Sequence, residues 1–225
     1  MIKRYNIHNF KNHADTSLEL GGLTILTGIN GMGKSSVFQS MLILRESFQK
    51  RPSMRTLFLD GDSFFSVGSA SLVNRSVAND GNLLKLGMIT DEDNLEFAYQ
   101  YPVGNENEME YVGEDLGEAA ERLERIPLFN DNFQYLSAFR MGPQSIYQSN
   151  TGVVDKHRQL SKKLGRGEYV AYFLSVFGSE IITIPALAYQ DSKDLSLKRQ
   201  TELWMGEISD GVKLQINQSS SLYEL

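Results

Sequence analysis

The sequence predicts a mixed α/β fold with α+β character, and three observations support this prediction. A short apolar run at residues 23–27 is followed by a glycine-rich loop and then by a helical pattern. Between residues 55 and 101, short β-rich runs alternate with clusters of turn residues, which is typical of an antiparallel meander. The apolar run at 169–177 and the segment 196–208 read as helices. We therefore expect a strand–loop–helix unit beside an antiparallel sheet, followed by a partly helical region.

The glycine-rich loop at residues 28–35 reads GINGMGKS. It fits Gly-x-x-x-x-Gly-Lys-Ser/Thr, the Walker A pattern of phosphate-binding loops. The 23–27 run is apolar and β-branched, which predicts a buried strand directly before the loop. One face of a helix is predicted directly after the loop by Val37, Met41, Leu44 and Phe48. The motif therefore lies in the context that it requires.

The residue types in this loop predict binding of ATP with Mg²⁺. The glycines at 28, 31 and 33 allow positive φ, so that consecutive N–H groups can surround a phosphate at the start of a helix. Lys34 would lie on the β- and γ-phosphates, in a catalytic role, and the Ser35 hydroxyl would be a ligand of Mg²⁺. The predicted nucleotide contacts within the loop are Asn30, Gly31, Met32, Gly33, Lys34, Ser35 and Ser36.

Composition limits the other classes of function. The chain has 225 residues, a formal net charge of −6 and 41% hydrophobic residues, which is ordinary for a globular protein and unlike a polycation made for nucleic acid. It has no cysteine, which excludes disulfides, thiolate metal sites and cysteine nucleophiles. No apolar run approaches the ~20 residues that span a bilayer, so we expect no membrane partner and a cytoplasmic location.

Local patterns predict the remaining elements. Residues 2–10 and 17–20 read as the two strands of an N-terminal hairpin. Residues 148–155 are polar and read as a loop. Further strands are predicted at 133–139 and 213–216, and a further helix at 114–126.

The N-terminal sequence resembles a known family. The segment IHNFKNH at residues 7–13, followed by a short strand and by NGMGKS at 30–35, is similar to the opening of SMC/RecF-type ABC ATPases. Met32 occupies a slot that usually holds a small residue in that family. The segment 135–143, YLSAFRMGP, and the segment 57–68 are similar to bacterial AAA/OLD-like ATPases of defence systems.

The resemblance implies the N-terminal lobe of an ABC-type ATPase head. It implies that Lys11 and Asn12, which follow Asn-Phe, contact the nucleotide; a solvated hairpin turn is the alternative. Arg140 would lie near the γ-phosphate or a lobe interface, or would be an ordinary surface arginine. Either Gln134 or Gln144 would sense the nucleotide.

The family's full-length proteins imply ATP hydrolysis coupled to dimerisation of two heads, a homodimer here, and to engagement of DNA or an effector protein. The chain has one basic cluster that could touch a phosphate backbone, with a solvated face as the alternative. Its members are Lys156, His157, Arg158, Lys162, Lys163 and Arg166.

Two motifs of such an ATPase are missing. A Walker B strand should end in Asp-Glu, but the superficial match TLFLD at 56–60 is followed by Gly61 and reads as a hairpin strand. The segment LGRGE at 164–168 echoes the signature loop and reads as a glycine turn before a helix. We therefore expect a nucleotide-binding lobe at 1–145 and a partly helical inserted region at 146–225 that stops before Walker B. Such a fragment would bind Mg-nucleotide without turning it over alone.

Two other classes of function stay open at this point. A P-loop GTPase should contain Asp-x-x-Gly and Asn-Lys-x-Asp, and neither occurs in the sequence. A small-molecule kinase should contain more parallel β-α units. A nucleotide-sensing binding module without catalysis is the main alternative to an ATPase.

Overall fold

In the computed structural model, the described residues are 1–60, 67–73, 83–103, 106–113, 119–162, 165–190, 192–219 and 222–224. Contacts divide the chain into two compact units, unit 1 at Met1–Phe133 and unit 2 at Gln134–Leu225. This division precedes the boundary that the sequence predicted at residue 145. Assignment of a nucleotide-binding lobe to 1–145 stays a prediction.

Unit 1 contains a six-stranded sheet in which every strand pair is antiparallel, in the order β2-β1-β4-β5-β6-β3. Its strands are β1 (Arg4–Phe10), β2 (His13–Glu19), β3 (Thr56–Phe58), β4 (Leu83–Ile89), β5 (Asn94–Gln100) and β6 (Glu108–Tyr111). The helices of unit 1 are α1 (Lys34–Lys50), α2 (Ala70–Val73) and α3 (Ala119–Glu124), with a 3₁₀ turn at Pro127–Phe129. The mixed α/β class and the antiparallel meander are confirmed.

Helix α1 packs its apolar face against this sheet. Val37, Leu44 and Phe48 are buried in the same core as Tyr5 and Ile7 of β1. The Tyr5 hydroxyl donates a hydrogen bond to Ser40 Oγ at 3.1 Å, which ties the sheet directly to the helix. This packing fixes the start of α1, and therefore the glycine loop before it, relative to the β1–β2 hairpin.

The predicted buried strand at residues 23–27 is wrong. These residues form no strand, and the side chains of Leu23 and Ile25 are 82% and 72% exposed. An apolar β-branched run becomes a buried strand only when other strands pair with it. In the described part of the chain, no strand pairs with residues 23–27.

Other elements of unit 1 fall partly outside the described residues. The run at 64–67 and the start of the predicted helix at 114–126 include residues that the structure does not describe. The described part of that helix is α3, and β6 and α2 were not predicted.

Unit 2 contains a three-stranded antiparallel sheet, in the order β7-β9-β8, and three helices. Its elements are β7 (Tyr147–Gln148), α4 (Thr151–His157), α5 (Val170–Phe177), a 3₁₀ turn (Pro185–Leu187), α6 (Leu197–Gly206), β8 (Asn217–Ser219) and β9 (Leu222–Glu224). Its core is a separate cluster that includes Tyr147, Val154 and Tyr172. Helices α5 and α6 confirm the predictions at 169–177 and 196–208.

Three predictions in unit 2 are wrong. Residues 133–139 form no strand, although the Ser137 N–H donates to the Gly165 carbonyl at 2.8 Å. The predicted loop at 148–155 contains helix α4, which starts because the Asn150 side chain accepts from the Val153 N–H at 3.0 Å. Residues 213–216 form no strand, and β8 begins directly after them, at Asn217. Among the described residues of both units, no helix is long and apolar enough to cross a membrane.

Candidate phosphate-binding site

The glycine-rich loop has the backbone conformation that its sequence predicts. Gly28, Gly31 and Gly33 have φ values of 143°, 83° and 95°. Gly33 is the N-cap of α1, which begins at Lys34. The turn is closed by a hydrogen bond from the Met32 N–H to the Ile29 carbonyl, 3.4 Å long. Only glycine adopts such φ values at low cost, so these positions give the loop its curvature.

Backbone N–H groups and the Lys34 ammonium lie together at the start of α1. The first N–H groups of a helix have no partner inside the helix, and the N-cap of α1 makes no side-chain hydrogen bond. Lys34 Nζ lies over the loop and donates to the carbonyls of Gly28 and Ile29 at 2.6 and 2.8 Å. A glycine-rich turn that leads into a helix start beside an ammonium is an arrangement suited to an anion such as a phosphate.

The turn between β1 and β2 packs against this loop. Asn12 Nδ2 donates to the Gly31 carbonyl, and His13 Nε2 lies 3.0 Å from the Gly33 carbonyl oxygen. Sequence reasoning named Asn12 but gave His13 no role. The spacing of the motif does not indicate His13, because the contact depends on how the hairpin folds back onto the loop.

Lys11 lies in the same turn, next to α1. It has φ 49°, and its Nζ donates to Gln39 Oε1 at 2.8 Å, one turn into α1 from Ser35. Partial burial lowers the pKa of Lys11 below its ordinary value, because the charged form loses hydration. The structure therefore places a second lysine near the start of α1.

Ser35 is exposed at the start of α1, where its hydroxyl could be a ligand of Mg²⁺. In the described residues no group of three or more His, Cys, Asp or Glu side chains could hold a metal ion. One hydroxyl is too few ligands for an ion that prefers six oxygens. A Mg²⁺ ion at this site would therefore have Ser35 as one ligand and would be coordinated mainly by phosphate oxygens and water.

Asp60, the superficial Walker B residue, has partners at the edge of the sheet. It follows β3, an edge strand that pairs antiparallel with β6. Its Oδ1 accepts from the Gly68 N–H at 3.2 Å, and its Oδ2 accepts from Asn107 Nδ2 at 2.6 Å. β3 is thus an edge strand of an antiparallel sheet, and its described partner β6 is not the next strand in the chain, so the interpretation of 56–60 as a hairpin strand stays a prediction.

The glutamines that were predicted to sense nucleotide both lie in unit 2. The Gln134 amide donates to the Arg158 carbonyl, and its oxygen accepts from the Leu160 N–H at 3.3 Å. Gln144 Nε2 donates to the Gly142 carbonyl at 3.2 Å. Arg140 is exposed. Their roles as nucleotide contacts stay predictions.

The basic cluster of unit 2 is partly committed to internal contacts. Arg158 pairs with Glu180 at 2.6 Å and lies 4.1 Å from the centroid of the Phe177 ring. This ion pair raises the pKa of Arg158 and lowers that of Glu180. Lys163 lies outside the described residues.

Comparison with known proteins adds no family assignment. No family model matches the sequence, and no curated protein matches it. The function of the site must therefore be argued from its own residues.

Proposed function

We propose that unit 1 binds a nucleoside triphosphate, ATP with Mg²⁺, through the loop at residues 28–35. One observation carries the proposal: three glycines with positive φ lead into α1, and Lys34 Nζ lies over the same loop. The N–H groups at the helix start would surround the β- and γ-phosphates, and Lys34 would move from the loop carbonyls to those oxygens. Asn30, Met32 and Ser36 lie in the same loop or at the helix start, and Ser35 would complete the shell of the ion.

The proposal is for binding rather than turnover by this chain. Hydrolysis needs a carboxylate that activates water next to the γ-phosphate. The superficial Walker B residue Asp60 instead accepts hydrogen bonds from Gly68 and Asn107. This observation favours the second candidate function, a nucleotide-sensing module without catalysis, for the 225 residues on their own.

The wider reading comes from the resemblance to SMC/RecF-like ABC ATPases. It supports a P-loop ATPase head that hydrolyses ATP in its full-length form and dimerises with a second head. Engagement of DNA or of an effector protein belongs to the same proposal. The internal contacts of Arg158 leave fewer basic groups for DNA than the sequence indicated.

Titration calorimetry with Mg-ATP and Mg-GTP tests the binding proposal. We expect a measurable Kd for Mg-ATP and at least tenfold weaker binding by the Lys34→Ala variant, since a charge-assisted hydrogen bond contributes about 1.5–3 kcal/mol. Lys85→Ala is the matched control, because Lys85 lies on β4, where its Nζ is 3.7 Å from a Glu96 carboxylate oxygen. Unchanged affinity in Lys34→Ala would remove the loop as the site.

A phosphate-release assay on the same samples tests whether this chain hydrolyses ATP. We expect no release above the rate of the Lys34→Ala variant. Hydrolysis by the wild-type chain that disappears in Lys34→Ala would show that the 225 residues contain a complete hydrolytic site.

A further inference from the structure

His13 makes two hydrogen bonds from a buried position beside the glycine loop. Its side chain is 8% exposed. Nε2 lies 3.0 Å from the Gly33 carbonyl oxygen, and Nδ1 lies 3.0 Å from Thr16 Oγ1. Both nitrogens of the ring therefore have a partner, one in the loop and one on β2.

These partners determine which nitrogen carries the proton. A carbonyl oxygen only accepts, so Nε2 must be the donor to Gly33. In the neutral ring Nδ1 is then an acceptor, and the Thr16 hydroxyl can donate to it. The Gly33 carbonyl therefore determines the tautomer, and the Thr16 hydroxyl is compatible with it.

The Gly33 carbonyl is part of the candidate site, through the first hydrogen bonds of α1 and the peptide bond to Lys34. It also accepts from the N–H groups of Ser36 and Val37 at 2.9 and 3.3 Å, so it is the first acceptor of α1. The carbonyl of Gly33 and the N–H of Lys34 belong to one planar trans peptide and point in opposite directions. Fixing the carbonyl towards His13 therefore fixes the Lys34 N–H away from it, on the side where a phosphate would lie.

From this geometry we infer that His13 is a positioning residue of the phosphate-binding loop, which holds the Gly33–Lys34 peptide in the orientation that receives a phosphate. Gly33 permits this contact because a Cβ at that position would lie 2.8 Å from His13 Nε2 and 3.2 Å from Cε1. The hairpin after β1 thus sets the geometry of the loop through a side chain that does not touch the ligand.

Two substitutions at His13 separate positioning from simple packing. His13→Leu keeps apolar volume and removes the donor, whereas His13→Gln keeps an N–H donor. His8→Leu, on the neighbouring β1, is the control for loss of a histidine. We expect Mg-ATP affinity to fall about tenfold in His13→Leu, to stay within about threefold of wild type in His13→Gln, and to be unchanged in His8→Leu.

NMR of the ligand-free chain gives a readout that does not depend on nucleotide. We expect the imidazole ¹⁵N shifts of His13 to report a protonated Nε2 and an unprotonated Nδ1. The amide signals of Lys34 and Ser35 should shift or broaden in His13→Leu and recover in His13→Gln. The inference would be overturned if the ¹⁵N shifts showed a proton on Nδ1 and none on Nε2. It would also be overturned if the amide signals of Lys34 and Ser35 were the same in both variants as in the wild type.

The affinity arm rests on the proposed function, and the two failures can be told apart. If the wild-type chain binds no Mg-ATP, the proposed function fails and the NMR arm alone decides the role of His13. If the wild type binds and His13→Leu binds equally well at the same folded fraction, the positioning role fails while the proposed function stands.

Discussion

Two glycine-rich loops of this chain contain glycines with similar φ angles but are followed by residues of opposite charge. In unit 1, Gly31 and Gly33 have positive φ and are followed by Lys34 at the start of α1. In unit 2, Gly165 and Gly167 have φ of 62° and 72° and are followed by Glu168, shortly before α5. Each loop therefore has two glycines with positive φ, separated by one residue, ahead of a helix.

The loops differ in what the following charged residue does. Glu168 turns back into its own loop, where its carboxylate accepts from the Lys162 N–H at 2.8 Å and from Ser161 Oγ. Ser161 Oγ in turn accepts from the Arg166 N–H at 3.0 Å. In unit 1 the corresponding residue is a cation, Lys34, whose Nζ donates to the carbonyls of Gly28 and Ile29.

The comparison teaches that positive-φ glycines alone do not identify an anion site. Such a loop gathers N–H donors, and an internal carboxylate can satisfy them as well as a ligand can. The charge that follows the glycines decides between the two outcomes. The loop at 165–168 has an internal carboxylate that accepts from the Lys162 N–H, whereas the loop at 28–35 is followed by a lysine that donates to the loop carbonyls.

The largest effect is expected when the 28–35 loop is given the acidic residue of the 165–168 loop. In Lys34→Glu we expect Mg-ATP affinity to fall at least about 100-fold, because a carboxylate would face the phosphates at close range. The fold should be retained, since an acidic residue in the first turn of α1 interacts favourably with the helix dipole. Calorimetry and thermal unfolding by circular dichroism measure the two effects. Lys34→Gln should be intermediate in affinity, and wild-type affinity in Lys34→Glu would refute the contrast.

The second prediction concerns the glycine that touches His13. A side chain at Gly33 is disfavoured both by φ 95° and by the 2.8 Å approach of its Cβ to His13 Nε2. We expect Gly33→Ala to lower the free energy of unfolding by about 2 kcal/mol and to weaken Mg-ATP binding. Urea denaturation followed by circular dichroism measures the stability.

Gly22→Ala is the matched control, because an added Cβ there meets nothing within 4 Å. Its stability should change by less than about 0.5 kcal/mol. Equal stability of Gly33→Ala and Gly22→Ala would mean that the loop tolerates a left-handed alanine and that His13 can move aside.

The sequence could predict the loop because its conformation is local. Glycine adopts positive φ at Gly31 and Gly33 with little help from the rest of the fold, and the apolar period of 37–48 decides the buried face of α1. Strand β4 falls within the meander predicted between residues 55 and 101, because its apolar run lies between clusters of turn residues. These features need only neighbours along the chain.

Features that depend on distant partners could not be predicted. The 23–27 run has the composition of a buried strand, but no strand pairs with it among the described residues. The His13 contact joins residues that are 20 positions apart, and only the hairpin register of β1 and β2 brings them together. Helix α4 did have a local signal, since Asn150 is a strong N-cap residue, but its polar neighbours indicated a loop.

The third prediction tests the closed loop of unit 2. Glu168→Gln keeps one acceptor oxygen and puts an NH₂ group against donors, so we expect the free energy of unfolding to fall by about 1 kcal/mol. The single tryptophan, Trp204, lies on α6 of unit 2 and reports its unfolding by fluorescence in urea. Glu19→Gln is the control, because Glu19 is 82% exposed in its pair with Arg4. If Glu168→Gln were as stable as that control, the carboxylate would not be what closes the loop.

The smallest expected effect concerns Lys11. The question is whether this lysine is a second cation, beside Lys34, for a phosphate bound at the 28–35 loop. Burial lowers the pKa of Lys11, so the free chain loses this charge at a lower pH than an ordinary lysine does. If a phosphate lies near Lys11, the bound state must favour the charged form, and binding must take up protons as the pH approaches that pKa from below. Affinity should then fall as the pH rises through it.

We expect Lys11→Met to weaken Mg-ATP binding about threefold at neutral pH and to abolish this proton uptake. Calorimetry in buffers with different ionisation enthalpies measures the number of protons taken up, and Lys85→Met should behave like the wild type. Proton uptake that persists in Lys11→Met would assign the titration to another group. Lys11 would then be a lysine that only supports α1 through Gln39, and Lys34 would be the cation that distinguishes the open loop from the closed one.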